Sequence, residues 1–201
     1  THWLPGQGNL QVMPLHEFQG EHVALVKWPA REQFQPHTHF GGEEIFVLEG
    51  VFSDEHGDYA EGSYLRNPPG SKHSPFSQNG CTILVKLNQF SSNDVTTVRL
   101  NTKRMSWSES VAGGQVIPLH EFISSDGKFE YTAFVKWSAG QAFTLPRYLG
   151  GLEIFVIAGT FKDEFGTYPK GSWLRSPYQS QHCPYADEET IILMKTGHLP
   201  I

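Results

Sequence analysis

The stretch GGEEIFVLEGVFSDEHGDY at residues 41–59 returns as GGLEIFVIAGTFKDEFGTY at residues 150–168. Upstream of both, QVMPLHEF (11–18) returns as QVIPLHEF (115–122). The matching segments follow one another in the same order in the two halves of the chain. The chain is therefore a tandem duplication, and we expect each copy to fold as one structural unit.

Short strands dominate each copy. Segments such as HVALVKW (22–28) and CTILVKLNQF (81–90) combine β-branched and aromatic residues with partial alternation, which is typical of half-buried strands. The 20 Gly and 13 Pro are spread between such segments and predict turns. Sequential strands of this kind close into barrels or rolls that leave few free edges.

We therefore predict two barrels packed together. The N-terminal barrel is assigned to residues 1–92. A connector follows at 93–114, with one further strand predicted at VTTVRL (95–100). The C-terminal barrel is assigned to residues 115–201.

The composition limits the classes of partner that we expect for this protein. The formal charge of −6 and the absence of a Lys/Arg cluster argue against direct nucleic-acid binding. No apolar run approaches the roughly 20 residues that span a bilayer, and no charged-then-apolar leader opens the sequence. We expect a cytoplasmic protein without a membrane or nucleic-acid partner. A small-molecule ligand or substrate, a regulatory protein partner and a homodimer all stay open.

Cys81 and Cys183 are the two cysteines of the chain, too few for a disulfide framework or a thiolate zinc site. We expect both to be buried free thiols, because unpaired cysteines usually pack in cores. A bridge between them is the alternative.

The segment HTHFGGEE (37–44) carries the chemistry of the first copy. Side chains at i and i+2 of a strand point to the same face, so His37 and His39 lie about 7 Å apart at Cα and can share one ion. Glu43 follows the Gly41-Gly42 turn and can supply a carboxylate, and His73 can supply a further imidazole from a strand distant in sequence.

Two motifs carry a family resemblance. His37-x-His39-x3-Glu43-x6-Gly50 and Gly62-x5-Pro68-x-Gly70-x2-His73 resemble the two metal motifs of the cupin superfamily. Residues 39–75 resemble the cupin domain of ChrR-type anti-sigma factors, and the second copy resembles the same family in its framework. The resemblance implies an all-β bicupin of two tandem jelly-roll-like, double-stranded β-helix barrels.

The resemblance also implies one divalent metal, held by His37, His39, Glu43 and His73. An all-nitrogen-and-oxygen ligand set suits several divalent metals. We expect Zn²⁺ first, with Fe²⁺, Ni²⁺ and Mn²⁺ as alternatives. No residue is assigned a catalytic role.

The second copy has lost most of this ligand set. Pro146, Tyr148 and Leu152 occupy the positions that correspond to His37, His39 and Glu43. His182 corresponds to His73. Glu153 corresponds to Glu44, which faces away from Glu43 by the period of two of a strand, so it does not restore the site. We predict a degenerate metal site in the C-terminal barrel.

Two functions follow from the resemblance. The first is a sensory or regulatory module, related to anti-sigma factors, transcription regulation and oxidative stress. The second is a cupin-type non-haem metal dioxygenase acting on a small organic substrate. ChrR-type factors carry a helical zinc domain ahead of their cupin, and its motif is not found in these residues, so sigma-factor binding cannot be transferred.

Other recurrent residues have simpler interpretations. Arg66 and Arg175 recur in both copies and predict a framework salt bridge. His182 is predicted to hydrogen-bond a neighbour. The remaining expectations are a structural role for His16 and His120, a surface position for His198, and core packing, in preference to a pocket wall, for Phe34, Phe40, Phe46 and Tyr64.

Overall fold

The computed structural model describes residues 2–110, 113–125, 127–143 and 147–199. It divides the chain into two compact units, unit 1 at residues 1–104 and unit 2 at residues 105–201. Both units consist of strands, and within the described residues the one helical element is a 3-10 turn at Thr102–Arg104. The all-β prediction is confirmed. No described helix is long and apolar enough to cross a membrane.

The described part of unit 1, residues 2–104, contains twelve strands. They are β1 (Leu4–Pro5), β2 (Gln11–Phe18), β3 (Glu21–Trp28), β4 (Glu32–Gln33), β5 (His37–His39), β6 (Glu43–Asp54), β7 (Gly57–Ala60), β8 (Ser63–Asn67), β9 (Ser71–His73), β10 (Phe76–Ser77), β11 (Cys81–Leu87) and β12 (Val98–Asn101).

The described part of unit 2 contains eight strands. They are β13 (Ser108–Glu109), β14 (Gln115–Ile123), β15 (Phe129–Trp137), β16 (Leu152–Ala158), β17 (Thr160–Asp163), β18 (Gly166–Pro169), β19 (Trp173–Ser176) and β20 (Thr190–Thr196).

The centre of each unit is a three-strand antiparallel ladder. In unit 1, β11 lies between β3 and β6 and pairs with both, so Ile83 stands opposite Val26 on one side and Val47 on the other. In unit 2, β20 lies in the same way between β15 and β16. Alternate side chains of these strands point inward and form the apolar core of each unit.

Strand β6 serves two sheets because it bends at a glycine. Its first half pairs with β11 and β8, and its second half pairs with β7 and β10. At the bend, Gly50 has φ of 75°, and a Cβ there would lie 2.2 Å from the carbonyl oxygen of Gly80. Gly159, its counterpart in unit 2, has the same conformation, so the repeated glycine is required by the bend.

The stretch predicted as a connector supplies strands to both units. β12 pairs with β8, with Val98 opposite Arg66, which confirms the predicted strand within VTTVRL. β13 pairs with β14 of unit 2. The domain boundaries at residues 92 and 115 stay a prediction.

The repeated histidines of QVMPLHEF and QVIPLHEF lie at bulges. The β2–β3 register shifts between Pro14 and His16, and the β14–β15 register shifts between Pro118 and His120. The equivalent bulges support the structural role expected for these histidines.

A buried arginine holds unit 1 together at β8. The Arg66 guanidinium is fully buried, lies 3.0 Å from the Glu44 carboxylate and also pairs with Asp94. It stacks over the Phe90 ring, with 4.0 Å between Cζ and the ring centroid. Arg175 pairs with Glu153 at 3.3 Å in unit 2, so the predicted framework salt bridge is confirmed in both copies.

Replacing this arginine should destabilise unit 1. Arg66→Met takes the cation from between two buried carboxylates, and we expect a loss of about 3–5 kcal/mol in the free energy of unfolding, measured in urea. Lys103→Met is the control, because Lys103 and Glu61 form an exposed pair; its cost should stay below about 1 kcal/mol. Equal losses in the two variants would contradict the assignment.

The two cysteines differ in environment. Both are free thiols, which excludes a bridge between them, and Cys81 is buried as expected. Cys183, however, is exposed, so the expectation of a buried thiol was wrong there. It lies in a loop after His182 and not on a core strand, and this placement leaves its side chain in solvent.

The native protein should therefore show one reactive thiol. Burial raises the pKa of Cys81 to about 11, which suppresses its thiolate at neutral pH. We expect a thiol-disulfide reagent to modify Cys183 in the folded protein and Cys81 only after unfolding. Cys183→Ser should abolish the native reaction, and rapid modification of two thiols in the folded chain would disprove the buried position of Cys81.

Candidate metal centre

The short antiparallel pair of β5 and β9 sets the geometry of the site. His37 stands opposite His73, and His39 stands opposite Ser71. The chain then turns at Gly41 and Gly42 and enters β6 at Glu43. Gly42 has φ of 78°, and a Cβ there would lie 2.5 Å from the Phe90 ring, so the tight turn against this ring requires glycine.

All four side chains predicted from the sequence come together. His39 Nε2 and His73 Nε2 lie 2.9 Å apart, and Glu43 Oε2 lies 3.3 Å from the first and 3.4 Å from the second. The His37 ring centroid is 4.9 Å from that of His39 and 5.1 Å from that of His73. The three histidines form a group whose ligand atoms all lie within 4.8 Å of one another.

A shell of hydrogen bonds orients these four side chains. His37 Nδ1 lies 3.1 Å from the carbonyl oxygen of Gln35, and His73 Nδ1 lies 3.4 Å from Asp54 Oδ2. Because both partners only accept hydrogen bonds, each Nδ1 is the donor, and in the neutral ring Nε2 is then the atom available to a metal. Asn67 Nδ2 donates to Glu43 Oε2 at 2.8 Å, which fixes the carboxylate.

Arg99 joins this shell from β12. Its guanidinium donates to Asn67 Oδ1 at 2.5 Å, to the Tyr59 hydroxyl at 3.1 Å and to the carbonyl oxygen of Arg66 at 2.9 Å. A continuous chain of hydrogen bonds thus runs from β12 through Asn67 to Glu43. The sequence analysis did not identify Asp54, Asn67 or Arg99.

Burial controls the charge state of the site. Burial, together with the nearby His73 and His37, lowers the pKa of His39 to about 3. His39 is therefore neutral at physiological pH, the form in which imidazole binds a metal. Burial also raises the pKa of Glu43, against the opposing effects of His73 and Asn67. An uncompensated buried carboxylate is costly, and a cation at the centre would remove that cost.

The corresponding region of unit 2 is organised differently. His182 Nδ1 lies 2.7 Å from Asp163 Oδ2, and Nε2 lies 2.9 Å from Ser176 Oγ. The Tyr148 hydroxyl points at the sulfur of Met194 at 3.8 Å, and Leu152 is part of the apolar core. Pro146, the counterpart of His37, lies outside the described residues.

Glu153 does not restore a ligand set. Its carboxylate lies 3.3 Å from Arg175 and 3.4 Å from His198 Nε2. Among the described residues, the triplet in unit 1 is the one group that could hold a metal ion. The prediction that His182 bonds a neighbour is confirmed. The expected surface position of His198 was wrong, because its side chain is 1% exposed beside Glu153.

Comparison with models of protein families shows which family the chain belongs to. A model of the ChrR cupin-like domain matches residues 1–91 and again residues 95–200. The chain belongs to the ChrR cupin-like domain family. The resemblance predicted from the two metal motifs is therefore confirmed for both copies. None of the curated proteins compared with this cupin chain matches it significantly.

Solved structures share the cupin fold at low sequence identity. A candidate dioxygenase of Nostoc punctiforme matches with a TM-score of 0.77 and 14% identity, over 94% of this chain and 73% of the other. The protein Ylba of E. coli gives 0.71 and 16%, over 98% and 87%. A Bacillus subtilis oxalate decarboxylase studied for its Mn(II) centres gives 0.67 and 14%, over 100% and 76%. These likenesses show the fold, and the predicted two-barrel cupin architecture is confirmed.

The donor set of this cupin fits a divalent cation. Three imidazoles and one carboxylate converge, and no thiol is among them. Such a set is typical of sites for first-row divalent metals and does not select one of them. The chain is thus a cupin with a candidate histidine-based metal site in unit 1.

The aromatic residues near the site divide into two groups. Phe46 and Tyr64 are buried and Phe34 packs against the core, as expected. Phe40 is 86% exposed, so the expectation that it fills the core was wrong. It lies in the turn that follows β5, outside the paired strands, and its side chain is in solvent.

Proposed function

We propose that unit 1 binds one divalent metal ion through His37, His39, Glu43 and His73, and that this centre has a sensory or regulatory role. The observation that carries the metal site is the convergence of the four side chains. Two imidazole nitrogens and a carboxylate oxygen lie within 3.4 Å of one another, and the His37 ring closes the group. Without a cation, this arrangement would leave the buried Glu43 carboxylate uncompensated, at a cost.

The site has a closed side and an open side. His39, Glu43 and His73 are buried, whereas His37 is exposed, so a small molecule can reach the centre from the direction of His37. A bound divalent ion would supply Lewis acidity, and an ion that takes more than four ligands would also offer a coordination position to such a molecule. The residues of the chain hold the ligand geometry and exclude water from the buried side.

Zn²⁺ is our first choice of metal. Four protein ligands satisfy its tetrahedral preference, and a closed zinc site suits a sensor. Fe²⁺, Ni²⁺ and Mn²⁺ prefer more ligands and would keep positions free for exogenous molecules. The structurally similar oxalate decarboxylase has Mn(II) centres, and this supports Mn²⁺ as an alternative.

Metal analysis of the purified protein tests the site. We expect one divalent ion per chain in the wild type, and His39→Ala should lose most of it because one ligand disappears from the buried side. His182→Ala is the matched control, since His182 is the counterpart of His73 in unit 2, and it should leave the stoichiometry unchanged. Two ions per chain, or none in metal-supplemented protein, would refute the assignment.

A sensory role is supported by the connection between the site and β12. Asn67 bonds both Glu43 and Arg99, so loss of the metal, or oxidation of a bound Fe²⁺ or Mn²⁺, would disturb a strand next to the boundary between the two units. We propose that a small-molecule or oxidant signal at the metal is passed through β12 to a regulatory protein partner. Membership of both units in the ChrR cupin-like family supports this direction.

Hydrogen exchange tests the sensory connection. We expect chelation or peroxide treatment to increase amide exchange in β12 by about tenfold or more. Without the metal, Glu43 no longer holds Asn67 in place, and the hydrogen bond between Asn67 and Arg99 weakens. Strands β15 and β20 of unit 2 serve as the internal control and should not change. Unchanged exchange in β12 after complete metal removal would exclude this mechanism.

A dioxygenase is the second candidate. The open side at His37 admits a small substrate, and the fold is shared with the candidate dioxygenase of Nostoc punctiforme. In this case the four ligands hold iron and no separate general base is assigned. Oxygen uptake by anaerobically iron-loaded protein with small diketones, catechols or thiols would favour this function over the sensory one.

A further inference from the structure

In unit 2, His182 lies between a carboxylate and a hydroxyl. Its Nδ1 is 2.7 Å from Asp163 Oδ2, and its Nε2 is 2.9 Å from Ser176 Oγ. Asp163 and His182 are buried and Ser176 is half-buried. A serine, a histidine and an aspartate thus form one hydrogen-bonded row, the arrangement that activates a serine hydroxyl.

The hydrogen-bond partners of His182 determine which of its two ring nitrogens carries the proton. A carboxylate accepts hydrogen bonds, so Nδ1 of His182 carries the proton that faces Asp163. Nε2 is then an acceptor, and the hydroxyl of Ser176 donates to it. Asp163 is held in turn, because its Oδ1 accepts hydrogen bonds from the main-chain N–H groups of Phe165 and Gly166, both at 2.9 Å.

The hydroxyl opens onto a pocket. Ser176 and His182 line a depression of about 430 Å³ together with the mainly apolar Phe165, Tyr168, Leu174 and Pro177 and the polar Arg175 and Gln181. This volume is in the range of small-molecule sites. Ser180 also lines the pocket, and its buried hydroxyl has no hydrogen-bond partner in the described structure.

We propose that unit 2 is a serine hydrolase site for small neutral carboxylic esters with an apolar acyl group. Ser176 is the nucleophile, His182 is the general base, and Asp163 is a positioning residue that fixes the tautomer of His182. Ser180 Oγ is the donor to the developing oxyanion. The apolar walls favour an uncharged acyl chain, and the pocket volume limits its size.

The reaction balances without a metal or redox partner. Ser176 Oγ attacks the ester carbonyl carbon while His182 Nε2 takes its proton, and a tetrahedral intermediate forms. The C–O bond to the alcohol breaks, and His182 returns the proton to the leaving alkoxide. A water molecule, deprotonated by His182, then attacks the acyl carbon; the bond from this carbon to Ser176 Oγ breaks, and His182 returns the proton to Oγ as the acid is released.

The same positions in unit 1 cannot perform this reaction. His73 Nε2 is directed at His39 and Glu43, and Asn67 stands where unit 2 has Ser176. The proposal therefore concerns unit 2 alone and does not depend on the metal site.

Active-site labelling of the full chain tests the proposal. We expect an alkyl fluorophosphonate to add one phosphonyl group to the wild-type protein, mapped to Ser176 by peptide mass spectrometry. Hydrolysis of p-nitrophenyl acetate and butyrate should accompany this reactivity. Both should be unchanged after chelator treatment, which separates serine chemistry from metal-assisted hydrolysis in unit 1. Adduct formation elsewhere, or none on folded protein, would overturn the proposal.

Variants assign the roles. Ser176→Ala should abolish labelling and lower hydrolysis to the rate in buffer, and His182→Gln should slow labelling by at least about 100-fold. Asp163→Asn should lower kcat with little change in KM, which a merely structural role would not produce. Ser180→Ala should lower kcat and leave the labelled residue unchanged.

Ser138→Ala, an exposed serine of unit 2, is the control and should match the wild type. Circular dichroism and thermal melting show which variants are folded. If His182→Gln fails to fold, the mapping of the adduct on the wild type still decides the nucleophile. Hydrolysis that survives in folded Ser176→Ala would refute the assignment.

Discussion

The pairing of β5 with β9 is the constraint on which the site of unit 1 depends. Each strand has only three residues, and an isolated pair of this length is not stable in water. It is held by its surroundings: Gly70 N–H donates to the His39 carbonyl at 2.8 Å, and the Gly41–Gly42 turn packs against Asn88 and Phe90. Because the register is fixed in this way, His37 and His73 face each other and the ligand atoms converge.

The duplicated chain uses one Asp–His pair in two ways. Asp54 supports His73 in unit 1, and Asp163 supports His182 in unit 2. In unit 1 the free Nε2 faces two further ligands, whereas in unit 2 it accepts a hydrogen bond from a serine. The Asp–His pair is thus present in both units. The two units differ in the side chains that face the Nε2 atom of this histidine.

The hydrogen-bonded shell around the first site explains why the linking segment is part of unit 1. Arg99 lies in the strand predicted within the connector, and its guanidinium bonds Asn67 and Tyr59. Strand β12 brings it there by pairing with β8. Sequence analysis missed Asn67 for a related reason: the two copies differ at this position, so the repeat gives no signal. Asp54 does recur as Asp163, and this repetition was an available clue.

The sequence by itself determined the duplication, the all-β class, the family and the four candidate ligands. These depend on local patterns, and on a strand the spacing of two residues fixes whether their side chains point to the same face. Only the tertiary structure decided which groups support the ligands, which cysteine is exposed and what His182 contacts. Those contacts join residues far apart in the chain, and their distances depend on how the strands pair and bend. The hydrogen-bonded row of Asp163, His182 and Ser176 is one example. These residues lie apart in the sequence and contact one another only because β17, β19 and the loop before Cys183 meet.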